Sequence, residues 1–239
     1  MNFIKLAAVA AVTAGTFAVA HANTLTQTGT VPMQLTDFSN QAFTVPTTGT
    51  FNAFSTAFGT LSSVVVTING VAQDSGTLTN NSASTQTFKF STSSSTAAGT
   101  TGNAPAPLVA FLNGAGSLNY ASSVNSYTLA SGQSAPFPIT GTNGFTNSPL
   151  SATVTFTASS DLIAFSGANY GANLTTLTGS QFLGGGGNPT LTLQTSEGAN
   201  LVITYNFSPP PVIGVPEPMS LALLGAGLAG IGMIRRRRA

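Results

Sequence analysis

The stretch Val64-Val65-Val66-Thr67-Ile68, followed by Asn69-Gly70, decides the fold class of this chain. All five leading residues are β-branched, and such side chains fit a pleated sheet better than a helix. Asn-Gly is typical of a two-residue hairpin turn, so we expect the strand to end there. Further on, Gln86–Phe90 alternates, with Phe88 and Phe90 on one face, as a half-buried strand does.

The region between residues 23 and 208 repeats this pattern of short apolar or alternating runs, separated by Gly, Asn, Ser and Pro. Helical periodicity nowhere extends beyond two turns. We therefore predict an all-β fold, an antiparallel β-sandwich of about 8–10 strands. Further strands are predicted at Leu108–Leu112, Val124–Leu129, Thr153–Thr157, Leu162–Phe165, Thr190–Gln194 and Leu201–Phe207.

Charged residues are few, and the basic ones lie at the two ends of the chain. Of the 6 basic residues, Lys5 and Arg235–Arg238 are terminal, and Lys89 stands alone between them. Against that lysine, the body has four carboxylates, which give it a net charge of −3. Because the body has no basic surface to neutralise phosphates, nucleic acid is excluded as a partner.

The body also lacks most side chains that catalysis and metal binding use. Cysteine is absent and His21 is the only histidine, which excludes disulfides, thiolate sites and histidine dyads. No two acids of the body lie within thirty residues of each other, so we expect no calcium loop and predict no metal site. A single site built from distant loops and carbonyl groups is a less favoured alternative. We predict no cofactor and no enzymatic activity. The four carboxylates Asp37, Asp74, Asp161 and Glu197 are predicted as loop or turn residues, with Asp161 at the start of a strand. A hydrolase using Asp161 and Glu197 is a less favoured alternative.

Tyrosine is the main candidate for stacking on a sugar, because Trp is absent. Tyr170 lies in Gly167–Gly171, which we predict to be an exposed loop, and Tyr205 lies within a predicted strand and is expected to be half-buried. Tyr170 is therefore the candidate glycan contact.

Residues 1–22 have the features of a secretory signal peptide. Lys5 precedes an apolar run, and Ala20 and Ala22 place small residues at −3 and −1 of a cleavage point before Asn23. We therefore expect export through the Sec translocon, and a body that occupies residues 23–207.

Residues 208–239 contain a Pro-rich linker at 208–215, then Pro216-Glu217-Pro218, an apolar stretch at 219–234 and the arginines Arg235, Arg236, Arg237 and Arg238. The prolines impose an extended backbone, which is the form in which a protease binds its substrate. As a helix, the apolar stretch would be about 24 Å long, against roughly 30 Å for a bilayer core. We predict a marginal transmembrane helix, held transiently in the inner membrane with the arginines in the cytoplasm.

This order of Pro-Glu-Pro, short apolar helix and arginine cluster resembles the PEP-CTERM sorting signal of Gram-negative bacteria. The resemblance covers Val215–Ala239. It implies that an exosortase, a membrane-embedded enzyme resembling cysteine transpeptidases, recognises Pro216, Glu217 and Pro218 and cleaves nearby. It further implies delivery to the cell envelope or the exopolysaccharide matrix. A Pro-rich hinge before an ordinary tail anchor is the alternative.

The opening of the body carries a second, looser resemblance. Phe54 to Val64 follows the pattern F-x-x-x-F-G-T-L-x-x-V and resembles the extracellular β-sandwich group called choice-of-anchor E. No catalytic or binding residue comes with this group, and the phenylalanines are otherwise read as core. The sequence as a whole predicts a secreted, exosortase-processed, non-enzymatic protein of the cell surface or biofilm matrix. A carbohydrate-binding module for the host's own exopolysaccharide is the alternative.

Overall fold

The computed structural model describes residues 22–137, 144–184 and 188–210, and residue 225. These residues form two antiparallel sheets that pack together, which confirms the predicted all-β sandwich. The described part contains ten strands, two α-helices and a short 3₁₀ helix at Thr56–Phe58. They are β1 (Asn23–Leu35), β2 (Gln41–Ala42), β3 (Thr60–Asn80), β4 (Gln86–Gly102), α1 (Ala106–Leu112), β5 (Leu118–Ala121), β6 (Asn125–Leu129), β7 (Ser134–Phe137), β8 (Leu150–Phe156), α2 (Ser159–Phe165), β9 (Tyr170–Leu183) and β10 (Pro189–Ser208).

Each sheet is built around a pair of long strands. The first sheet has the order β1-β10-β3, and both β7 and β8 pair along the far edge of β3. The second sheet has the order β2-β9-β4, and both β5 and β6 pair along the far edge of β4. Consecutive strands β3 and β4 lie in different sheets, as do β9 and β10. The chain therefore passes from one sheet to the other between Asn80 and Gln86, and again between Leu183 and Pro189, and we call this end of the sandwich the tip.

Strand β3 is longer than the sequence predicts. The expected turn at Asn69-Gly70 is wrong, because both residues lie inside β3 and pair with Asn200 and Ala199 of β10. Gly70 serves close packing instead of a turn: a Cβ atom there would lie 2.3 Å from both Leu118 Cδ1 and Tyr120 Oη. Strand β10 likewise joins two predicted strands, so Glu197 lies in the middle of a strand and not in a turn.

Two predicted strands are helices in the structure. Leu108–Leu112 belongs to α1, which buries Leu108, Phe111 and Leu112 at the i, i+3 and i+4 spacing of one helical face. Leu162–Phe165 belongs to α2, where Asp161 lies in the first turn and not at the start of a strand. A carboxylate in that position is stabilised by the partial positive charge of the helix N-terminus. Apolar runs this short do not distinguish a strand from a short helix.

The inward side chains form two hydrophobic clusters. The main cluster fills most of the space between the sheets, with Val64, Val66 and Ile68 of the fold-deciding stretch fully buried. The tip cluster consists of Leu78, Phe88, Phe90, Tyr127, Leu129 and Phe137. Between the two clusters, the inward face of β3 presents Asp74. Polar side chains therefore separate two apolar regions of one sandwich.

Within the described residues, no helix is long and apolar enough to cross a bilayer. The predicted transmembrane helix at 219–234 lies outside the described residues, apart from residue 225.

Candidate functional site

Tyr170 is not on the surface. It begins β9, is 1% exposed, and stacks on Phe51 with ring centroids 5.8 Å apart. Its hydroxyl lies 3.0 Å from that of Tyr205 on the opposite sheet. Burial raises the pKa of both hydroxyls, that of Tyr205 to about 12. The prediction that Tyr170 lies in an exposed loop is therefore wrong, because Tyr170 is a core residue. Tyr205 is fully buried, whereas the sequence predicted half-burial.

A surface groove of about 590 Å³ offers a different aromatic side chain, Phe58, which is 49% exposed. Two hydrogen bonds between Gln27 and Asn52 fix one wall of the groove. Gln27 Nε2 donates to the Asn52 carbonyl at 2.9 Å, and the Asn52 backbone N donates to Gln27 Oε1 at 2.8 Å. An exposed ring beside amides and hydroxyls is the composition that neutral sugars favour. No charged residue lines the groove, whose walls are completed by Leu25, Thr26, Thr28, Val45, Pro46, Thr47, Ala53 and Ser55.

A buried set of polar side chains lies between the two hydrophobic clusters, and we call it the polar belt. It consists of Asp74, Thr92, Ser94, Thr96, Thr195 and Glu197. Asp74 is 5% exposed and Glu197 is 1% exposed, so the prediction that both are loop or turn residues is wrong. Sequence spacing could not reveal the belt, because its two acids are brought together only by the pairing of β3 with β10.

Hydroxyl groups from both sheets supply the hydrogen bonds of the polar belt. The Thr195 hydroxyl donates to Asp74 Oδ1 at 2.8 Å, and the Thr92 hydroxyl donates to Asp74 Oδ2. The Thr96 hydroxyl donates to Glu197 Oε2. Thr92 and Thr96 belong to β4, whereas the carboxylates belong to β3 and β10. The belt therefore links the two sheets through hydrogen bonds to carboxylates.

Burial dominates the electrostatics of these carboxylates. It raises the pKa of Asp74, although the hydrogen bonds from Thr92 and Thr195 oppose the shift. It also raises the pKa of Glu197, where the nearby hydroxyls of Ser94 and Thr96 oppose the shift and the charges of Asp74 and Asp37 add to it. Both groups are consequently easier to protonate than in water.

The described residues contain no group of three or more His, Cys, Asp and Glu side chains that could hold a metal ion. Nor do they bring Asp161 and Glu197 into an open cleft, since Asp161 lies in α2 and Glu197 is buried between the sheets. A glycosidase needs two carboxyl groups that flank a bound sugar. The alternative of a hydrolase that uses this pair gains no support from their placement.

The sorting residues Pro216, Glu217, Pro218 and Arg235–Arg238 lie outside the described residues, as does Ala20. The structure does describe the two ends of the body, which adjoin the predicted signal peptide and the sorting motif. Strand β1 begins at Asn23, directly after the predicted cleavage point, and pairs there with Phe207 near the end of β10. The two ends of the folded body therefore lie side by side, and the Pro-rich linker begins where β10 ends.

No curated protein matches the chain in sequence. Among solved structures, a chain from the structure titled "Crystal structure of the T13 IBDV viral particle reveals a missing link in icosahedral viruses evolution" aligns at 10% identity, over 89% of this chain and 47% of that one, with a TM-score of 0.12. This chain thus spans about half the length of the viral chain, and a TM-score this low supports no conclusion.

The family model described as the PEP-CTERM protein-sorting motif matches residues 214–238. The match contains the Pro-Glu-Pro segment, the apolar stretch and the arginines on which the resemblance was based. The resemblance of Phe54–Val64 to choice-of-anchor E stays a prediction. The structure confirms Phe51 and Phe54 as core residues, but the prediction that Phe58 is also core is wrong, because Phe58 is half exposed. Residues 214–238 therefore carry a PEP-CTERM protein-sorting motif, which indicates a secreted protein targeted by an exosortase.

Proposed function

We propose that this protein is a non-enzymatic component of the cell surface or extracellular matrix, released into that compartment when an exosortase cleaves near Pro216–Pro218. The observation that carries the proposal is the sorting motif at 214–238, which follows a β-sandwich whose last strand ends at Ser208. The linker 208–215 lies between them in sequence, so cleavage near Pro216–Pro218 would leave all the described strands in the released protein. Export through the Sec translocon and a transient stay of helix 219–234 in the inner membrane belong to the same proposal.

The outer faces of the sandwich suit a hydrated polymer matrix. Neighbouring strands present pairs of threonine or serine hydroxyls to solvent in place of charged side chains. Such neutral hydroxyls can hydrogen-bond to sugars, and they give little electrostatic repulsion between protein molecules. The pairs are Thr26 with Thr204, Thr67 with Thr153, Thr79 with Ser134 and Thr87 with Thr128, at 2.7–3.1 Å.

The test is fractionation of the host after the sorting motif is changed. Replacing Pro216, Glu217 and Pro218 by alanine should retain the protein in the membrane fraction, whereas the wild type should reach the extracellular and matrix fractions. Replacing Pro209, Pro210 and Pro211 by alanine is the matched control, because it changes three neighbouring linker residues outside the matched motif. Equal release of both variants would contradict processing at the motif.

The second candidate function is binding of the host's own exopolysaccharide, and the groove at Phe58 is the observation that favours it. Stacking on an exposed aromatic ring is a common way to hold a neutral sugar. We expect saturable binding to isolated exopolysaccharide that Phe58→Ala abolishes. Ile163→Ala is the control, since Ile163 is an exposed apolar residue on α2 that does not line the groove. Unchanged binding by Phe58→Ala would contradict this candidate.

A further inference from the structure

The polar belt brings two carboxylates to one place inside the sandwich. Asp74 pairs with Thr195 and Glu197 pairs with Ala72, so the two acids are diagonal neighbours on the inward face of β3 and β10. Diagonal neighbours on adjacent strands have Cα atoms about 7–8 Å apart, which lets both carboxylates reach a common point. From β4 of the other sheet, Thr92 bonds to Asp74, and Thr96, four residues further along the strand, bonds to Glu197.

Nothing in the described body balances the charge of the polar belt. Lys89 is the only lysine or arginine between Lys5 and Arg235, and it is exposed on the outer side of β4. The hydrogen-bond partners of Asp74 and Glu197 are neutral hydroxyls. Buried carboxylates are normally paired with a positive group or bound to a metal, because hydroxyls alone do not offset the loss of water.

Two buried polar atoms, one on Glu197 and one on its cross-strand neighbour Gln34, also lack hydrogen-bond partners. Glu197 is 1% exposed, and its Oε1 has no hydrogen-bond partner among the described residues. Gln34 of β1 pairs directly across the sheet with Glu197, and its buried Nε2 has no partner either. Unsatisfied buried atoms are rare in folded proteins. A bound cation or water explains the free oxygen of Glu197, and a water or a half-turn of the amide explains Gln34 Nε2.

We propose that the polar belt is a Ca²⁺ site, with the carboxylates of Asp74 and Glu197 as its charged ligands. The hydroxyls of Thr92 and Thr195 lie against Asp74 and supply neutral oxygen ligands, whereas the hydroxyl of Thr96 holds Oε2 of Glu197. A half-turn of the Gln34 amide would present its oxygen to the same point. The two negative charges match one divalent cation, and this set of ligands comes close to the 6–8 oxygens that Ca²⁺ takes.

The chemistry of the ligands selects Ca²⁺ among the common metals. Zinc and copper sites use histidine or cysteine, and the body at residues 23–207 has neither. Mg²⁺ gives up its water reluctantly and needs a strict octahedron, which does not suit an enclosed site of carboxylates and hydroxyls. Ca²⁺ accepts irregular all-oxygen shells, and extracellular calcium modules function with dissociation constants of about 10⁻⁴–10⁻³ M.

The experiment uses the secreted protein recovered from its host. Elemental analysis after dialysis against millimolar Ca²⁺ should find about one calcium per chain. Relative to an EDTA-treated sample at equal ionic strength, Ca²⁺ at about 100 times its dissociation constant should raise Tm by roughly 5–10 °C. The same concentration of Mg²⁺ should leave Tm near the EDTA value.

Glu197→Gln should lose the Ca²⁺-dependent rise in Tm, and Asp74→Asn should lose it as well. Asp161→Asn is the matched control: it makes the same carboxylate-to-amide change on α2, outside the polar belt, and should keep the full rise. Absence of calcium together with identical Tm values in Ca²⁺ and EDTA would overturn the proposal, and so would an undiminished Ca²⁺ effect in Glu197→Gln. An equal effect of Mg²⁺ would overturn the assignment to calcium. If Glu197→Gln does not fold, calcium content and Ca²⁺-dependent Tm of the wild type decide the question.

Discussion

Two buried polar pairs link the sheets of this sandwich, and the fold satisfies them to different degrees. Tyr170 and Tyr205 share a hydrogen bond of 3.0 Å, and the Tyr205 hydroxyl also donates to the Asn52 carbonyl at 3.0 Å. Asp74 and Glu197 receive bonds only from hydroxyls, and one oxygen of Glu197 receives none in the described structure. A hydroxyl both donates and accepts, whereas a carboxylate only accepts.

The difference shows which buried polar pair has all its hydrogen bonds satisfied by the chain itself. The tyrosine pair needs nothing beyond the chain, so its contribution to stability should be independent of pH near neutrality and of divalent ions. The carboxylate pair needs a proton or a cation before its burial becomes favourable. Substitutions at the two places should therefore respond to different solution conditions.

The largest expected effect is at the tyrosine pair. Tyr170→Ala removes a buried ring stacked on Phe51 and should lower the free energy of unfolding by about 3–5 kcal/mol. Tyr170→Phe keeps the ring and loses only the hydroxyl, so its cost should be about 1 kcal/mol. Urea denaturation measures both values. Equal losses for the two variants would show that the ring packing is not what this position contributes.

The next effect concerns the residue that covers Asp74. Gly144 has φ +83°, and a Cβ atom there would lie 2.5 Å from Asp74 Cβ. Gly144→Ala should therefore cost about 2–4 kcal/mol in unfolding free energy, from backbone strain and overpacking together. Gly132→Ala is the control, since Gly132 has φ +72° with no atom within 4 Å and should show only the strain, about 1 kcal/mol. Similar costs for both would contradict the tight cover over the belt.

The pH dependence of stability should separate the two pairs further. Burial raises the pKa values of Asp74 and Glu197 in the folded state, so in EDTA the folded protein holds protons that the unfolded chain releases. The resulting stabilisation is fully present below the unfolded carboxyl pKa, about 4, and is lost as the pH rises through the raised folded values. Chemical denaturation in EDTA should give a smaller gain on acidification for Glu197→Gln than for the wild type. A gain of the same size in both would show that the belt does not titrate in this way.

The smallest effect on stability is expected at the surface groove. Phe58 is 49% exposed, and its ring centroid lies 6.2 Å from that of Phe54 and 6.1 Å from that of Phe207. Phe58→Ala should lower the free energy of unfolding by about 1 kcal/mol or less, regardless of pH or Ca²⁺. Thermal unfolding in EDTA and in Ca²⁺ measures it. A much larger loss would show that Phe58 belongs to the core and is a poor probe of sugar binding.

The fold class was predictable because its signal is local. The run Val64–Ile68 and the alternation of Phe88 and Phe90 indicate strands without any knowledge of the partners. The errors arise where tertiary contacts override local signals. Asn69-Gly70 is a turn signal in isolation, but Gly70 is needed where Leu118 and Tyr120 cross β3.

The polar belt and the position of Tyr170 could not be predicted for the same reason. Asp74 and Glu197 are far apart in sequence and meet only through strand pairing, and an acid beside Ser and Gly resembles a turn. Tyr170 follows a Gly-Ala-Asn segment that resembles a loop, yet it starts an alternation of buried Tyr170, Ala172 and Leu174. The sorting motif, in contrast, is a linear signal, and for that reason the sequence alone was enough to identify it.

The central claim is that an exosortase processes this chain and releases a matrix or surface protein. The most direct test is the intact mass of the protein recovered from the extracellular and matrix fractions of its own host. The account predicts a chain that begins at Asn23 and ends near Pro216–Pro218, with or without added sugar. Recovery from membranes alone, with Arg235–Arg238 still attached, would contradict it.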